Sequence, residues 1–342
     1  MGHLPGGLPM SAIFACIIFA AVSGSSPATV AAIGSIMIGA IRADGYSDNF
    51  SVGAIVCSGS LGILIPPSII LIVYGVTVDQ SIGKLFMAGV VPGIFLGAML
   101  MLVTYIAAVK GGFKKTKRAS NREIWDSFKD AIWGLFVIII IIGGIYGGLF
   151  TPTEAAAVAA MYGFFVVKFI YRDLTWKQIP EVIKSSAATA AMIMFIIANA
   201  MLFAYLLTIQ QIPQQLAAWI IGMNLNKYTF LIFVNLLLLL AGNFMEPSSL
   251  IMIIAPLIFP VAMKLGIDPI HLGVIITVNM EIGMLTPPVG LNLFVASGIS
   301  GLSLGDVVKA SVPWFFALLI GLFFVTYVPL ISLWLPKLMY GG

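Results

Sequence analysis

Two six-residue motifs carry the residue types best suited to chemistry: Gly62-Ile63-Leu64-Ile65-Pro66-Pro67 and Gly283-Met284-Leu285-Thr286-Pro287-Pro288. Both fit G-x-L-x-P-P and both fall inside long apolar segments. Consecutive prolines remove two backbone donors and free the carbonyls of the preceding turn. A nearby glycine lets the unwound chain approach a ligand closely. Freed carbonyls together with hydroxyls form a hard, oxygen-only cage of the kind that suits Na+. The helix N-terminus beyond each break offers amides and a positive dipole end to a carboxylate. One kind of element can thus serve a coupling cation and an anionic substrate.

Two further interruptions supply hydroxyls and amides. Ser23-Gly24-Ser25-Ser26-Pro27 breaks segment 9–41, and Asn243 to Ser249 (NFMEPSS) breaks segment 226–263. Each is expected to be the tip of a re-entrant hairpin with arms of about 14 residues, too short to span a membrane. Pro27 suits the first position of a helix, with Ser26 as its cap. Irregular backbone at membrane depth is tolerated where it is buried in protein or lines a watery cavity, so both tips point to a site. One Na+ is expected at Ser25, Ser26 and Ser58 with backbone oxygens from Gly62 to Pro66. A second is expected at Ser249 and Asn279 with backbone oxygens from Gly283 through Thr286 and Pro287. Substrate carboxylates are expected between the tips, at Ser23, Ser25, Thr29, Ser248, Ser249 and Asn292.

Glu246 and Glu281 stand in otherwise apolar stretches. A carboxylate at membrane depth costs roughly 2.5–3.5 kcal/mol on insertion scales and is a functional candidate by default. Proton coupling, cation coordination and a structural hydrogen bond are all open; a tip-capping role is expected for Glu246 and a structural one for Glu281. Enzyme chemistry has little to work with. The chain has two histidines, two cysteines without CxxC spacing, and no GxxxxGK[ST] phosphate loop. A channel is disfavoured by the paired hairpins and the lack of a charged pore ring.

The elements that must position these residues follow from composition. Hydrophobic residues make up 61% of the 342 and charged residues 9%, against roughly 25% charged in soluble domains. This predicts an all-α polytopic membrane protein. The candidate membrane-embedded segments are 9–41, 51–75, 84–110, 131–150, 153–171, 183–209, 226–263, 270–298 and 307–335. Lys110 to Arg122 holds six basic residues and no acid, and Lys168, Arg172, Lys177 and Lys184 mark a later loop. The positive-inside rule makes both loops cytoplasmic and places the 149–154 loop outside. Asn121–Trp133 and Leu174–Ile183 are expected as amphipathic helices at the cytoplasmic interface.

The two Pro-Pro motifs lie 221 positions apart, and at that offset Gly45 meets Gly266, Ile55 meets Ile276 and Pro92 meets Pro313. One residue of slippage aligns Ser81-Ile82-Gly83 with Ser303-Leu304-Gly305. The chain therefore contains a duplication. Five crossings separate the copies, so the second enters from the opposite face, an inverted-topology repeat. Residues 1–110 are read as the first repeat, 111–130 as a basic linker with an interfacial helix, and 131–342 as the second repeat. The offset places counterparts of the crossings from 131 onward about 90 positions ahead of Met1, so about three helices are expected to precede this sequence.

Four stretches carry a resemblance. Ser23-Gly24-Ser25-Ser26-Pro27-Ala28-Thr29, Gly62 to Ser68, Asn243 to Ser249 and Asn279-Met280-Glu281 through Asn292 resemble the large membrane subunit of TRAP (tripartite ATP-independent periplasmic) transporters. The resemblance covers essentially the whole chain. It implies an elevator mechanism, in which a transport domain with both hairpins and both broken helices slides against a scaffold carrying substrate and Na+. It also implies a small four-helix membrane subunit and a periplasmic substrate-binding protein as partners. The setting would be the bilayer of a bacterial inner membrane, with no nucleic acid involved. Family members take up organic acid anions such as C4-dicarboxylates, sialic acid and keto acids. The Met-Glu-Pro-Ser-Ser and Asn-Met-Glu segments look closest to the C4-dicarboxylate type. A stand-alone Na+/dicarboxylate symporter is the alternative within transport.

Overall fold

Capping residues set most helix starts in this computed structural model, which describes residues 3–113, 120–212, 215, 222 and 226–341. The first copy runs α1 (Gly7–Ser23), α2 (Ser26–Ala43), α3 (Asp48–Gly59, continued by a tighter turn over Ser60–Ile63), α4 (Ile69–Thr77) and α5 (Ile82–Lys110). Ser47, Ser68 and Ser81 cap α3, α4 and α5 by accepting from amides of the first turn. Next come α6 (Asn121–Tyr146), α7 (Pro152–Phe165, ending in a π turn over Val166–Ile170) and α8 (Ile179–Ile209). The second copy supplies α9 (Lys227–Gly242), α10 (Pro247–Lys264), α11 (Pro269–Gly283), α12 (Leu291–Ser300), α13 (Leu304–Tyr327) and α14 (Leu330–Tyr340). The described residues contain helices and no strand, and six of the helices are long and apolar enough to cross a membrane. The protein is an all-α polytopic membrane protein.

The chain divides into two compact units, Met1–Arg118 with Gln211–Gly342, and Ala119–Gln210. The first holds both hairpins and both broken helices. Inside it, packing is reciprocal between the copies. α2 packs on α12 as its counterpart α10 packs on α4, and α3 packs on α13 as α11 packs on α5. Gly53 is what lets α3 close on α13: a Cβ there would stand 2.2 Å from the Ala310 carbonyl. Gly45 and Gly266, one repeat apart, both turn the chain with positive φ. In the second unit, Ile141, Ala155 and Ala159 form a small core between α6 and α7.

Several expected boundaries need correction. The hairpin arms have 17, 18, 16 and 18 residues rather than about 14. At 1.5 Å per residue α2 is about 27 Å long, and α2 and α10 meet the length and composition of a span. Arm length alone therefore does not make the hairpins re-entrant. Asn121–Trp133 is no separate interfacial helix but the first half of the continuous 26-residue α6. Its start is fixed by a capping box between Ser120 and Glu123, and no proline interrupts the apolar run from Ala131 to Tyr146. Leu174 to Gln178 is non-helical, and α8 begins at Ile179. Segment 307–335 is two helices, because Pro329 holds Val328 out of helical geometry at φ −117°, ψ 80°.

Candidate functional site

Each hairpin tip is brought against the break of the broken helix in its own copy. In the first copy Gly24 ends α1 with φ +59°, and a Cβ there would stand 2.6 Å from the Pro67 carbonyl oxygen. A Cβ on Gly62 would stand 2.7 Å from both the Ser25 carbonyl oxygen and Thr29 Oγ1. Tip and break thus press oxygen-bearing groups together at a point only glycine permits. In the second copy the Gly242 and Gly283 backbones touch, and the Val289 amide donates to the Asn243 carbonyl at 3.0 Å. The prolines act as expected on the carbonyls before them. A helix would bond Ile63 O and Met284 O to the amides of residues 67 and 288, both proline. Ile63 O instead accepts from Ser68 Oγ, and Met284 O from the Asn292 amide at 3.2 Å. Both Pro-Pro bonds are cis.

The predicted residues of the first copy divide into engaged and available groups. Thr29 Oγ1 donates to the Ser25 carbonyl at 2.8 Å, and Ser23 Oγ lies 2.9 Å from Thr29 Oγ1. Ser25 is the N-cap of α2, yet its side chain makes no capping bond. The cap expected from Ser26 is corrected: Ser26 lies inside the first turn, and its buried hydroxyl donates to the Gly59 carbonyl at 3.1 Å. Ser58 turns its hydroxyl back along α3 to the Ala54 carbonyl at 2.7 Å. Pro66 is buried.

The second copy is more open. Pro287 to Val289 are exposed, Thr286 is half-buried, and Thr286 Oγ1 donates to the Ile282 carbonyl at 3.0 Å. Glu246 caps α10 as expected, accepting from the Ser249 amide at 3.0 Å and from Ser248 Oγ at 2.8 Å. The Ser248 hydroxyl is thereby directed at Glu246. Asn292 crosses between the copies, its Nδ2 donating to Ser26 Oγ at 2.7 Å.

Buried oxygens without a hydrogen-bond partner cluster in the second copy: Asn243 Oδ1, Asn279 Oδ1, Glu281 Oε2 and Asn292 Oδ1. Such acceptors are rare in folded proteins and call for a partner; a bare cation is one that acceptor oxygens can share. Among the described residues no three His, Cys, Asp or Glu side chains group together to hold a metal. The donor set is therefore one of neutral oxygens, the chemistry of an alkali cation.

Asn235 lies outside the expected set. Its Oδ1 accepts from Asn279 Nδ2 at 2.8 Å, and its Nδ2 donates to Thr326 Oγ1 at 3.1 Å. The second Asn279 donor meets the Ile275 carbonyl at 2.8 Å, so the amide orientation is set and Oδ1 is the atom left free. The signal for Asn235 was present, a lone amide in the apolar run from Phe230 to Ala241.

The chain matches the family described as Tripartite ATP-independent periplasmic transporter, DctM component, over residues 1–331. It is 55% identical over 337 residues to the C4-dicarboxylate TRAP transporter large permease protein DctM of Pseudomonas aeruginosa, covering 98% of this chain and 79% of that one. Identity is 50% to the protein so named in Rhodobacter capsulatus, covering 99% and 80%. It is 49% to that of Vibrio cholerae, covering 100% and 80%. The two tips, the two Pro-Pro breaks and this similarity along nearly the whole sequence place the chain in the DctM component family of tripartite ATP-independent periplasmic transporters.

Proposed function

We propose that this chain is the large permease subunit of a Na+-coupled transporter importing C4-dicarboxylates, delivered by a periplasmic binding protein. A small four-helix membrane subunit completes the assembly in a bacterial inner membrane. The observation that carries this reading is the packing of each hairpin tip against its own Pro-Pro break. It concentrates carbonyl and hydroxyl oxygens where a cation can be held, beside helix N-termini able to meet carboxylates. One Na+ sits at Ser25 and the backbone oxygens from Gly62 to Pro66. The other sits at Asn279 and the backbone oxygens from Gly283 through Thr286. Both hairpins and both broken helices belong to one compact unit, which supports their moving together as the carrier in an elevator mechanism. The names of the relatives favour dicarboxylates over other acids.

The test is uptake of labelled succinate into proteoliposomes holding the full-length subunit and its small partner. Uptake that needs both an inward Na+ gradient and the binding protein is the expected result. Uptake of sialic acid or a keto acid instead of succinate would keep the mechanism and discard the substrate. Uptake indifferent to the binding protein would favour a stand-alone symporter.

A further inference from the structure

Ser60 and Glu281 lie 221 residues apart, the repeat offset itself, and they touch: Ser60 Oγ is 2.9 Å from Glu281 Oε1. A residue that meets its own repeat counterpart must lie on the axis relating the copies. Both side chains are fully buried. Ser60 Oγ also lies 2.7 Å from the Cys57 carbonyl oxygen, one turn back on α3.

The protons at this junction can be counted. Two oxygen–oxygen separations of hydrogen-bond length each require a hydrogen between the atoms. A serine hydroxyl has one proton, and the Cys57 carbonyl, an acceptor only, claims it. The second hydrogen has to come from Glu281. Its surroundings agree. Glu281 Oε2 has no hydrogen-bond partner, and the ion pairs among the described residues are Arg42–Asp48, Arg122–Asp126 and Lys309–Asp306. Charged residues on the helices packed against α11 stand near helix ends and none is buried: Lys84 and Lys110 on α5, Lys227 on α9, Lys264 on α10, Asp306 and Lys309 on α13, and Lys337 on α14. Cys57 directs its thiol to the Ser311 carbonyl. An ionised carboxylate held by one shared neutral hydrogen bond would bear an uncompensated desolvation penalty. A neutral acid keeps its C=O oxygen unpaired at far smaller cost.

We infer that Glu281 is a proton-binding site on the repeat axis, a neutral carboxylic acid whose Oε1–H donates to Ser60 Oγ and so joins the two copies. It holds a proton where a cation could otherwise be captured, and it adds no negative charge to the two oxygen cages. The Na+ sites are thereby left to neutral ligands, and this consequence alone rests on the transport reading.

Infrared difference spectra of the full-length subunit test the protonation directly. Wild type minus Glu281→Gln is expected to show the C=O stretch of a protonated carboxylic acid at neutral pH. Ser60→Ala is expected to move that band to higher frequency, because the acid loses its acceptor. Absence of the band, or its conversion to a carboxylate band at neutral pH, would overturn the assignment whether or not the preparation transports. In uptake, Glu281→Gln keeps a donor to Ser60 and is expected to leave the Na+ half-saturation within about twofold of wild type. A variant that elutes as wild type from gel filtration yet loses its Na+ dependence would show that the carboxylate charge is needed, and would also overturn it.

Discussion

Gly62 is the residue on which the first cage depends most directly. A methyl group at its Cα would press on Ser25 O and Thr29 Oγ1, each 2.7 Å from the Cβ position. Neither neighbour can retreat freely, because Thr29 Oγ1 is already bonded to that same carbonyl. Overpacking of this kind costs about 1–3 kcal/mol. Gly62→Ala is expected to raise the Na+ half-saturation of uptake on the order of tenfold, since 1.4 kcal/mol is a factor of ten in binding. An unchanged half-saturation would place the ion elsewhere. At this scale the sequence was informative about backbone and less so about hydroxyls. A Pro-Pro pair frees carbonyls wherever it falls in a helix, so the breaks at 66–67 and 287–288 were legible. Where a serine hydroxyl points depends on which carbonyl is nearest in the folded chain. Ser58 and Ser26 therefore turn to the Ala54 and Gly59 carbonyls, and Asn235 gained its role from Thr326, 91 residues away.

Among the elements, α10 shows how a helix start can shape a site. Glu246 takes the capping position with proline immediately after it, and its carboxylate gathers the Ser249 amide and the Ser248 hydroxyl. Removing it leaves the first-turn amides without their acceptor, a loss typically near 1 kcal/mol for a helix cap. Glu246→Ala is expected to lower the unfolding midpoint measurably. It also releases Ser248, so a shift in Na+ half-saturation beyond that of Gln at the same position would tie the serines to the ion. Equal behaviour of the Ala and Gln variants would confine Glu246 to the cap. Element existence was readable because apolar runs and breakers are local signals. Ends were less so, as α6 and Val328 show. Hydropathy does not register that a polar amphipathic turn can share one axis with the apolar run after it. Nor does it separate a proline that ends a helix, such as Pro329, from one tolerated within it, such as Pro92.

For the whole molecule, the duplication makes a claim that packing alone does not test, namely that the copies face opposite sides of the membrane. Reciprocal contacts between α2 and α12, and between α10 and α4, express a two-fold relation in the protein. Whether that axis lies in the membrane plane depends on the number of crossings between the copies. The broken helix α3–α4, then α5, α6, α7 and α8, make five, and an odd number inverts the second copy. The basic residues after α5 and around Lys177 set the absolute sense, with the turn after α2 cytoplasmic and the turn after α10 periplasmic. Asp44 and Lys264 are suited to a test, because they occupy those equivalent turns and both are exposed. The native Cys16 and Cys57 are buried and will not compete for label. With a membrane-impermeant maleimide on intact spheroplasts, Lys264→Cys is expected to label at once. Asp44→Cys is expected to label only after the membrane is opened. Labelling of both from outside would mean an even number of crossings and a parallel repeat. The two candidate cation sites would then face the same side, and the alternating use of two mirror-related tips would lose its structural basis.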